Sequence, residues 1–335
     1  MRLLVTGGAG FIGSNFIRLI LKERPDWRVI NFDLLTYAGN LESLADIDDN
    51  PNYTFIKGNI AESGDVAKVF EHEIHTVVNF AAETHVDKSL YDPQTFLRTN
   101  VLGLGLLLEK AMKCAVSRFV QISTDEVYGS QPEARFAREG DALFPSSPYA
   151  ASKAAADLLA LSFYSTYEFP VLITRSSNNY GPFQFPEKVI PFFIMEAIKG
   201  HQLPLYGNGM NVRNWIHVED NCRAILSVLE NGAPGEIYNI GGQNYIDNLS
   251  LTRQLLNILK CPESLIKFIE DRPGHDFRYA IDSSKVKSLG WEPSIAFNDG
   301  LAQTVQWYKA NRNWWQAIFS GEHLRFYETH YKKRS

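Results

Sequence analysis

The chain has 335 residues, 45% of them hydrophobic and 21% charged, with a formal net charge of -5. That length buries a sizeable core, as one large domain or as a cofactor domain plus a smaller one, and the acidic balance argues against a general nucleic-acid binder. No apolar run reaches the roughly 18 residues of a membrane span, and the run behind Met1-Arg2 breaks at Gly7-Gly8 before it could serve as a secretion signal. Three widely spaced cysteines, Cys114, Cys222 and Cys261, fit neither a disulfide framework nor a zinc site, so a cytoplasmic protein with reduced thiols and no metal is expected.

Residues 2–6 form a β-prone run leading into Gly7-Gly8-Ala9-Gly10-Phe11-Ile12-Gly13, and a helical stripe of Phe16, Ile17, Ile20 and Leu21 follows. Gly8, Gly10 and Gly13 fit G-x-G-x-x-G, while Gly7, Gly10 and Gly13 fit G-x-x-G-x-x-G. Between a strand and a helix, such glycines let a pyrophosphate approach the helix N-terminus. The next strand, residues 28–32, ends in Asp33, and 33 − 13 = 20 residues separate it from the last glycine. A carboxylate there suits the adenosine ribose hydroxyls, and with no adjacent Arg the pattern favours NAD over NADP.

A third strand, residues 53–57, ends in Gly58-Asn59-Ile60, and a fourth, residues 76–80, ends in Ala81-Ala82-Glu83. Small residues at those ends suit a ligand crossing the sheet edge, and residues 63–70 and 95–114 supply crossover helices. The alternation predicts an α/β fold, a Rossmann-type doubly wound parallel sheet with a smaller C-terminal substrate-binding domain.

The fifth strand (Phe119-Val120-Gln121-Ile122) delivers Ser123-Thr124-Asp125-Glu126-Val127-Tyr128-Gly129 to the ligand edge of that sheet. After a Pro-Ser-Ser-Pro turn, Tyr149 and Lys153 stand four residues apart at the start of a helical run, and so share a helix face. A tyrosine with a pKa of about 10 must come down by roughly three pH units, about 4 kcal/mol, to ionise at neutrality. A nearby ammonium and a positive nicotinamide ring favour that phenolate. The adjacent acids could act as acid and base if like-charge proximity separates their pKa values.

From Pro182 the alternation weakens and aromatics, prolines and basic residues thicken. Residues 236–242 are expected to return as one more strand of the main sheet. The expected division is 1–181 with a returning segment near 216–246 for the dinucleotide, and 182–215 with 247–335 for the substrate. Residues 301–318, with Trp307, Trp314 and Trp315, are expected as one packing helix, and Lys332-Lys333-Arg334 as a frayed tail.

Gly7 to Gly13, Asp33 and Tyr149/Lys153 resemble the extended short-chain dehydrogenases that act on nucleotide sugars. Thr124-Asp125-Glu126-Val127-Tyr128-Gly129 is similar to the motif of the dTDP-glucose 4,6-dehydratase branch; epimerising relatives typically lack the Asp-Glu pair. The resemblance runs almost end to end, through Tyr37-Ala38-Gly39-Asn40-Leu41, His85-Val86-Asp87, Asn178-Asn179-Tyr180-Gly181-Pro182, Phe185-Pro186-Glu187-Lys188 and Arg272-Pro273-Gly274-His275-Asp276.

The resemblance implies that Tyr149, assisted by Lys153 and Thr124, removes the C4 hydroxyl proton while hydride passes to NAD. Glu126 would then take the C5 proton, Asp125 would protonate the leaving C6 hydroxyl, and the hydride would return to C6. It further implies cofactor contacts at Gly7, Gly10, Phe11, Ile12, Gly13, Asp33, Leu34, Thr36, Asn59, Ile60, Ala81, Ala82, Thr99, Tyr149, Lys153 and Asn179. Nucleotide-sugar contacts are implied at Thr84, His85, Thr124, Asn178, Lys188, Val189, Arg213, Asn248, Arg272 and His275, with no metal. Asn59, Asn214 and Thr84 depart from the usual pattern, which leaves dTDP against UDP open. The resemblance also implies a homodimer that pairs the Leu- and Ala-rich runs 101–111 and 150–161 into a four-helix bundle. The competing readings are a 4-epimerase and a dinucleotide-sensing or scaffold protein.

Overall fold

The computed structural model describes residues 1–318. Its strands are β1 (Arg2–Thr6), β2 (Arg28–Asp33), β3 (Tyr53–Lys57), β4 (Thr76–Asn79), β5 (Arg118–Thr124), β6 (Val171–Ser176), β7 (Asn178–Tyr180), β8 (Leu203–Tyr206), β9 (Val212–His217), β10 (Ile237–Ile240), β11 (Asn244–Asp247) and β12 (Ile266–Ile269). Helices α1 (Phe11–Glu23), α2 (Ser63–Val69), α3 (Val86–Ser89), α4 (Pro93–Leu97), α5 (Leu104–Lys113) and α6 (Pro148–Tyr167) belong to the first half of the chain. The second half adds α7 (Val189–Lys199), α8 (Val218–Asn231), α9 (Asn248–Leu259), α10 (Ser284–Lys287), α11 (Phe297–Ala310) and α12 (Arg312–Ile318).

Seven strands pair in parallel in the order β10-β6-β5-β4-β1-β2-β3. The inner strands β1, β4, β5 and β6 are buried on both faces, so their cores carry apolar residues on both sides, whereas the edge strand β3 is partly exposed. Phe16, Ile17 and Ile20 of α1 join Ile225 and Val228 of α8 in the core on one face. Leu104, Leu107 and Leu108 of α5 join Ala156 and Ala160 of α6 on the other. Strand order reverses between β1 and β4, which opens a crevice at their carboxyl ends, where ligands bind in doubly wound sheets.

A second, smaller region holds the sheet β11-β9-β7, the β12-β8 pair and a core built from α7, α9 and α11. The expected returning strand is β10, beside β6 on the edge of the main sheet. The expected boundaries at 181, 215 and 246 all fall at strands of the small sheet. β7 belongs to that sheet rather than to the seven-stranded one, and β9 and β11 each continue across a proposed boundary.

Two expected helices are interrupted. Within 95–114 a π-helical segment, Arg98–Gly103, separates α4 from α5. The 301–318 helix breaks at Asn311, whose side chain turns back to donate to the Trp307 carbonyl at 2.9 Å. The Lys332-Lys333-Arg334 tail lies outside the described residues. Among the described residues no helix is long and apolar enough to cross a membrane, and no group of His, Cys, Asp and Glu is placed to hold a metal.

Candidate active site

The glycine loop is shaped by close approach. Gly7 has φ +66, and a Cβ there would lie 2.6 Å from the Ala81 nitrogen; a Cβ on Gly13 would lie 2.4 Å from the Gly7 carbonyl oxygen. Any side chain at either position would fill the cradle in front of α1, whose first-turn amides lack intrahelical acceptors and favour an anion. Asp33 ends β2 and accepts from the Ala9 and Leu35 amides at 2.9 and 2.8 Å. Burial raises its pKa, and those two amides work against the rise. The Asn59 side-chain oxygen accepts from the Ala61 amide at 2.9 Å.

All the cofactor candidates and all five catalytic candidates line one cavity of about 310 Å³. β5 ends on Thr124, whose side chain caps the following 3₁₀ turn by accepting from the Glu126 amide at 3.3 Å. That turn turns Asp125 and Glu126 into the cavity. Ser147 caps α6 by accepting from Ala150, and Pro148 occupies its first turn, which places Tyr149 at the helix entrance beneath the cavity. Lys153, one turn on, donates to the Ile122 carbonyl at 2.6 Å.

The two carboxyls differ in surroundings. Burial, then the neighbouring Glu126 charge, pushes Asp125 up to about 8. Burial also raises Glu126, but Arg272, Lys188 and Arg213 oppose it. Burial favours the neutral form at both, but three cations work against it at Glu126 where Asp125 has only Arg213.

Tyr149 is buried at the start of α6. In the protein alone its pKa is raised, first by burial and next by Glu126; a hydrogen bond with Thr124 is the opposing influence. Burial brings Lys153 down to about 8, so the ammonium that should favour the phenolate is itself desolvated.

Thr84, Thr124, Asn178 and Lys188 also line the cavity; His85, Val189, Arg213, Asn248, Arg272 and His275 do not. Lys188 donates to the Thr84 carbonyl at 3.1 Å and immediately precedes α7, which begins at Val189. Arg213 donates to the Asp276 carbonyl at 2.9 Å and lies over the Tyr279 ring, 4.2 Å from its centroid. Arg272 pairs with Asp87 at 2.9 Å, leaving its buried Nε without a partner. His275 meets Asp271 at 2.6 Å; burial, then Arg272 and Arg213, pushes it down to about 4. His85 faces Glu187 at 3.5 Å. Asn248 opens α9, its amide donating to the Asn211 carbonyl at 3.1 Å.

Of the departures, Asn214 is fully buried and donates to the Gly242 and Asn244 carbonyls, stapling β9 to β11. Sequence reasoning missed Glu187, which lines the cavity beside Lys188 and interacts with His85, Lys88 and Tyr37. It also missed Tyr279, whose hydroxyl donates to Asp276 at 2.9 Å and lies 3.5 Å from Glu126. The Glu187 signal was its place next to Lys188; Tyr279 carried none.

Residues 4–304 match the family described as GDP-mannose 4,6 dehydratase. A dTDP-glucose 4,6-dehydratase of Streptomyces niveus is 48% identical over 326 residues, 96% of each chain. The crystal structure of DesIV (dTDP-glucose 4,6-dehydratase) from Streptomyces venezuelae with NAD and TYD bound superposes with a TM-score of 0.92 at 48% identity, covering 95% of this chain and 100% of that one. A UDP-glucose 4-epimerase from Thermotoga maritima with UDP-glucose has a TM-score of 0.87 at 30% identity, covering 93% and 100%.

Proposed function

The chain belongs to the GDP-mannose 4,6 dehydratase family, and from that premise we propose that it converts dTDP-glucose to dTDP-4-keto-6-deoxyglucose as an NAD-dependent hydro-lyase. The observation that carries the reading is the adjacent Asp125–Glu126 pair, with its unlike surroundings, in the cavity that also holds Tyr149. An epimerase needs Tyr149 and Lys153 but not two carboxyls in opposite protonation states.

NAD, when bound, accepts a hydride from the sugar and later returns it. Tyr149 takes the C4 hydroxyl proton, with the Thr124 hydroxyl bonded to its oxygen and Lys153 beneath it. The resulting ketone acidifies the C5 proton, which Glu126 removes as a carboxylate; Arg272, Lys188 and Arg213 oppose the rise that burial gives its pKa. Asp125, neutral at pH 7, gives its proton to the departing C6 hydroxyl and water leaves; Glu126 then returns its proton to C5 as C6 regains the hydride. Arg213, Arg272 and Lys188 suit the sugar's diphosphate, Arg as a planar donor fork and Lys as a point charge. Asp33 and the loop from Gly7 to Gly13 suit the dinucleotide.

Incubating pure protein with dTDP-glucose and, separately, UDP-glucose tests this. A 4-keto-6-deoxy product from dTDP-glucose is expected. A C4-inverted sugar would move the assignment to epimerisation, and no reaction with either donor would overturn it.

The proposal extends to a homodimer. Leu97, Leu102, Leu158, Tyr164 and Tyr167, near or on α5 and α6, are exposed, with Leu102 and Leu158 at 66% and 61%. Paired small-residue helices would cover them. A cytoplasmic setting accords with Cys114, Cys222 and Cys261, all free thiols.

A further inference from the structure

Tyr128 of the 3₁₀ turn takes no part in the chemistry above, yet it is buried beneath the site. Its hydroxyl donates to Asn239 Oδ1 at 2.8 Å and accepts from Arg175 Nη1 at 2.8 Å, and the guanidinium carbon lies 4.8 Å from its ring centroid. Arg175, near the carboxyl end of β6, is 2% exposed; its Nε donates to Asp157 Oδ2 at 2.8 Å. Asp157 is fully buried on α6, one turn beyond Lys153 and two beyond Tyr149, so the three residues stand on one helix face. The Lys153 ammonium is tied in turn to the Ile122 carbonyl of β5. A buried Arg–Asp pair gives weak support to stability, because desolvating two charges offsets most of their attraction. Its position behind Lys153 suggests another use.

We propose that Asp157 is a positioning residue that keeps Lys153 an ammonium beneath Tyr149, and that Arg175, backed by Tyr128, keeps Asp157 ionised. The inference rests on the dehydratase reading only for the parts it gives Tyr149 and Lys153. The Asp125–Glu126 turn is then joined to the Tyr149 helix twice, once across the cavity and once behind it through Tyr128, Arg175 and Asp157.

The electrostatics agree. Burial is what brings Lys153 down to about 8, and Asp157 is the charge that opposes it. Burial raises Asp157 too, and Arg175 leads the groups that oppose that rise, ahead of Ser123 and Lys153. The other titratable or charged groups around this stack are Tyr149 on α6, Asp125, Glu126 and Tyr128 on the turn, and Glu139 beyond it. A lysine titrating so near neutrality is easily tipped. Losing the Asp157 charge, directly or by protonation after loss of Arg175, would leave Lys153 neutral at the pH of the cell.

The test follows Lys153 itself, by NMR titration of protein carrying lysine labelled with carbon-13 at Cε, its signal identified by its loss in Lys153→Arg. The wild-type midpoint is expected near pH 8. In Asp157→Asn/Arg175→Met, which removes both buried charges together, the midpoint falls by about half a pH unit or more. Tyr128→Phe, which removes one hydroxyl, moves it the same way by less. A folded double variant with the wild-type midpoint would show that the pair merely ties β6 to α6. If the double variant does not fold, an unmoved midpoint in Tyr128→Phe overturns the proposal. The alkaline limb of turnover should move down with the Lys153 midpoint. A displaced midpoint in a protein that turns over neither nucleotide sugar would sink the dehydratase reading and leave the coupling of Asp157 to Lys153 standing.

Discussion

Asp125→Asn is expected to raise stability at neutral pH while removing activity. Asp125 is 3% exposed, one of its oxygens has no partner, and the other accepts from the Thr124 hydroxyl at 3.4 Å. Its pKa of about 8 in the folded protein compares with about 4 for the unfolded chain. Between those values the folded state holds a proton that the unfolded state has released. Stability therefore falls by about 1.4 kcal/mol for each pH unit of rise through that window, and is level below and above it. At pH 7 the accumulated cost is on the order of 4 kcal/mol. Asparagine escapes it but brings a buried amide N–H without an acceptor, which costs about 1–3 kcal/mol at every pH. The variant should then be less stable than wild type near pH 4 and more stable at pH 7, with the curves crossing in between. Urea midpoints measured from pH 4 to 8 give the comparison, and turnover should fall by about 10²–10⁴ as the general acid is lost. A stability difference that does not change with pH would refute the reasoning, because it would mean that the Asp125 carboxyl is not held neutral by folding.

Glu126→Gln should block elimination, a fall of about 10²–10⁴ or about 3–5 kcal/mol, while reduction of bound nicotinamide remains visible by absorbance; normal dehydration would contradict its role as base. Gly13→Ala drives a Cβ to within 2.4 Å of the Gly7 carbonyl, and calorimetry should show NAD affinity reduced by about tenfold or more, with unaltered affinity counting against the cradle. Leu158→Glu, placing charge on an exposed apolar position of α6, should convert the proposed dimer to monomer in light scattering. Wild-type protein that is only monomeric at micromolar concentration would remove that proposal.

What the sequence disclosed was local chemistry. Gly7 to Gly13 announces its loop because the strand, the turn and the helix are contiguous, and Asp33 follows at a fixed spacing. Asp125 and Glu126 were legible for the same reason, since a strand of the sheet ends directly before them. β7 is three residues long and too short for any period, and its partners β9 and β11 come from much later in the chain. That is why the small sheet, and the seam that runs through it, could not be seen. Tyr279 and Asp276 reach Glu126 by the same kind of long-range folding. For Tyr149 the sequence shows a lysine four residues on but not the burial of both side chains, which with Glu126 and Asp125 nearby works against the phenolate in the protein alone.

The return of β10 to the outside of β6 bears on how this protein could be cut or recombined. The chain leaves the seven-stranded sheet after β6, builds β7 to β9, and comes back through α8 to β10 before leaving again. A fragment ending at residue 181 would lose α8 from the core it shares with α1 and would expose the hydrogen-bonding edge of β6, an invitation to aggregation. A single protease nick between β7 and α7 would release neither region, because later crossings still join them. Exchange of the smaller region between relatives therefore has to be made as two separate insertions, with α8 and β10 left in the recipient.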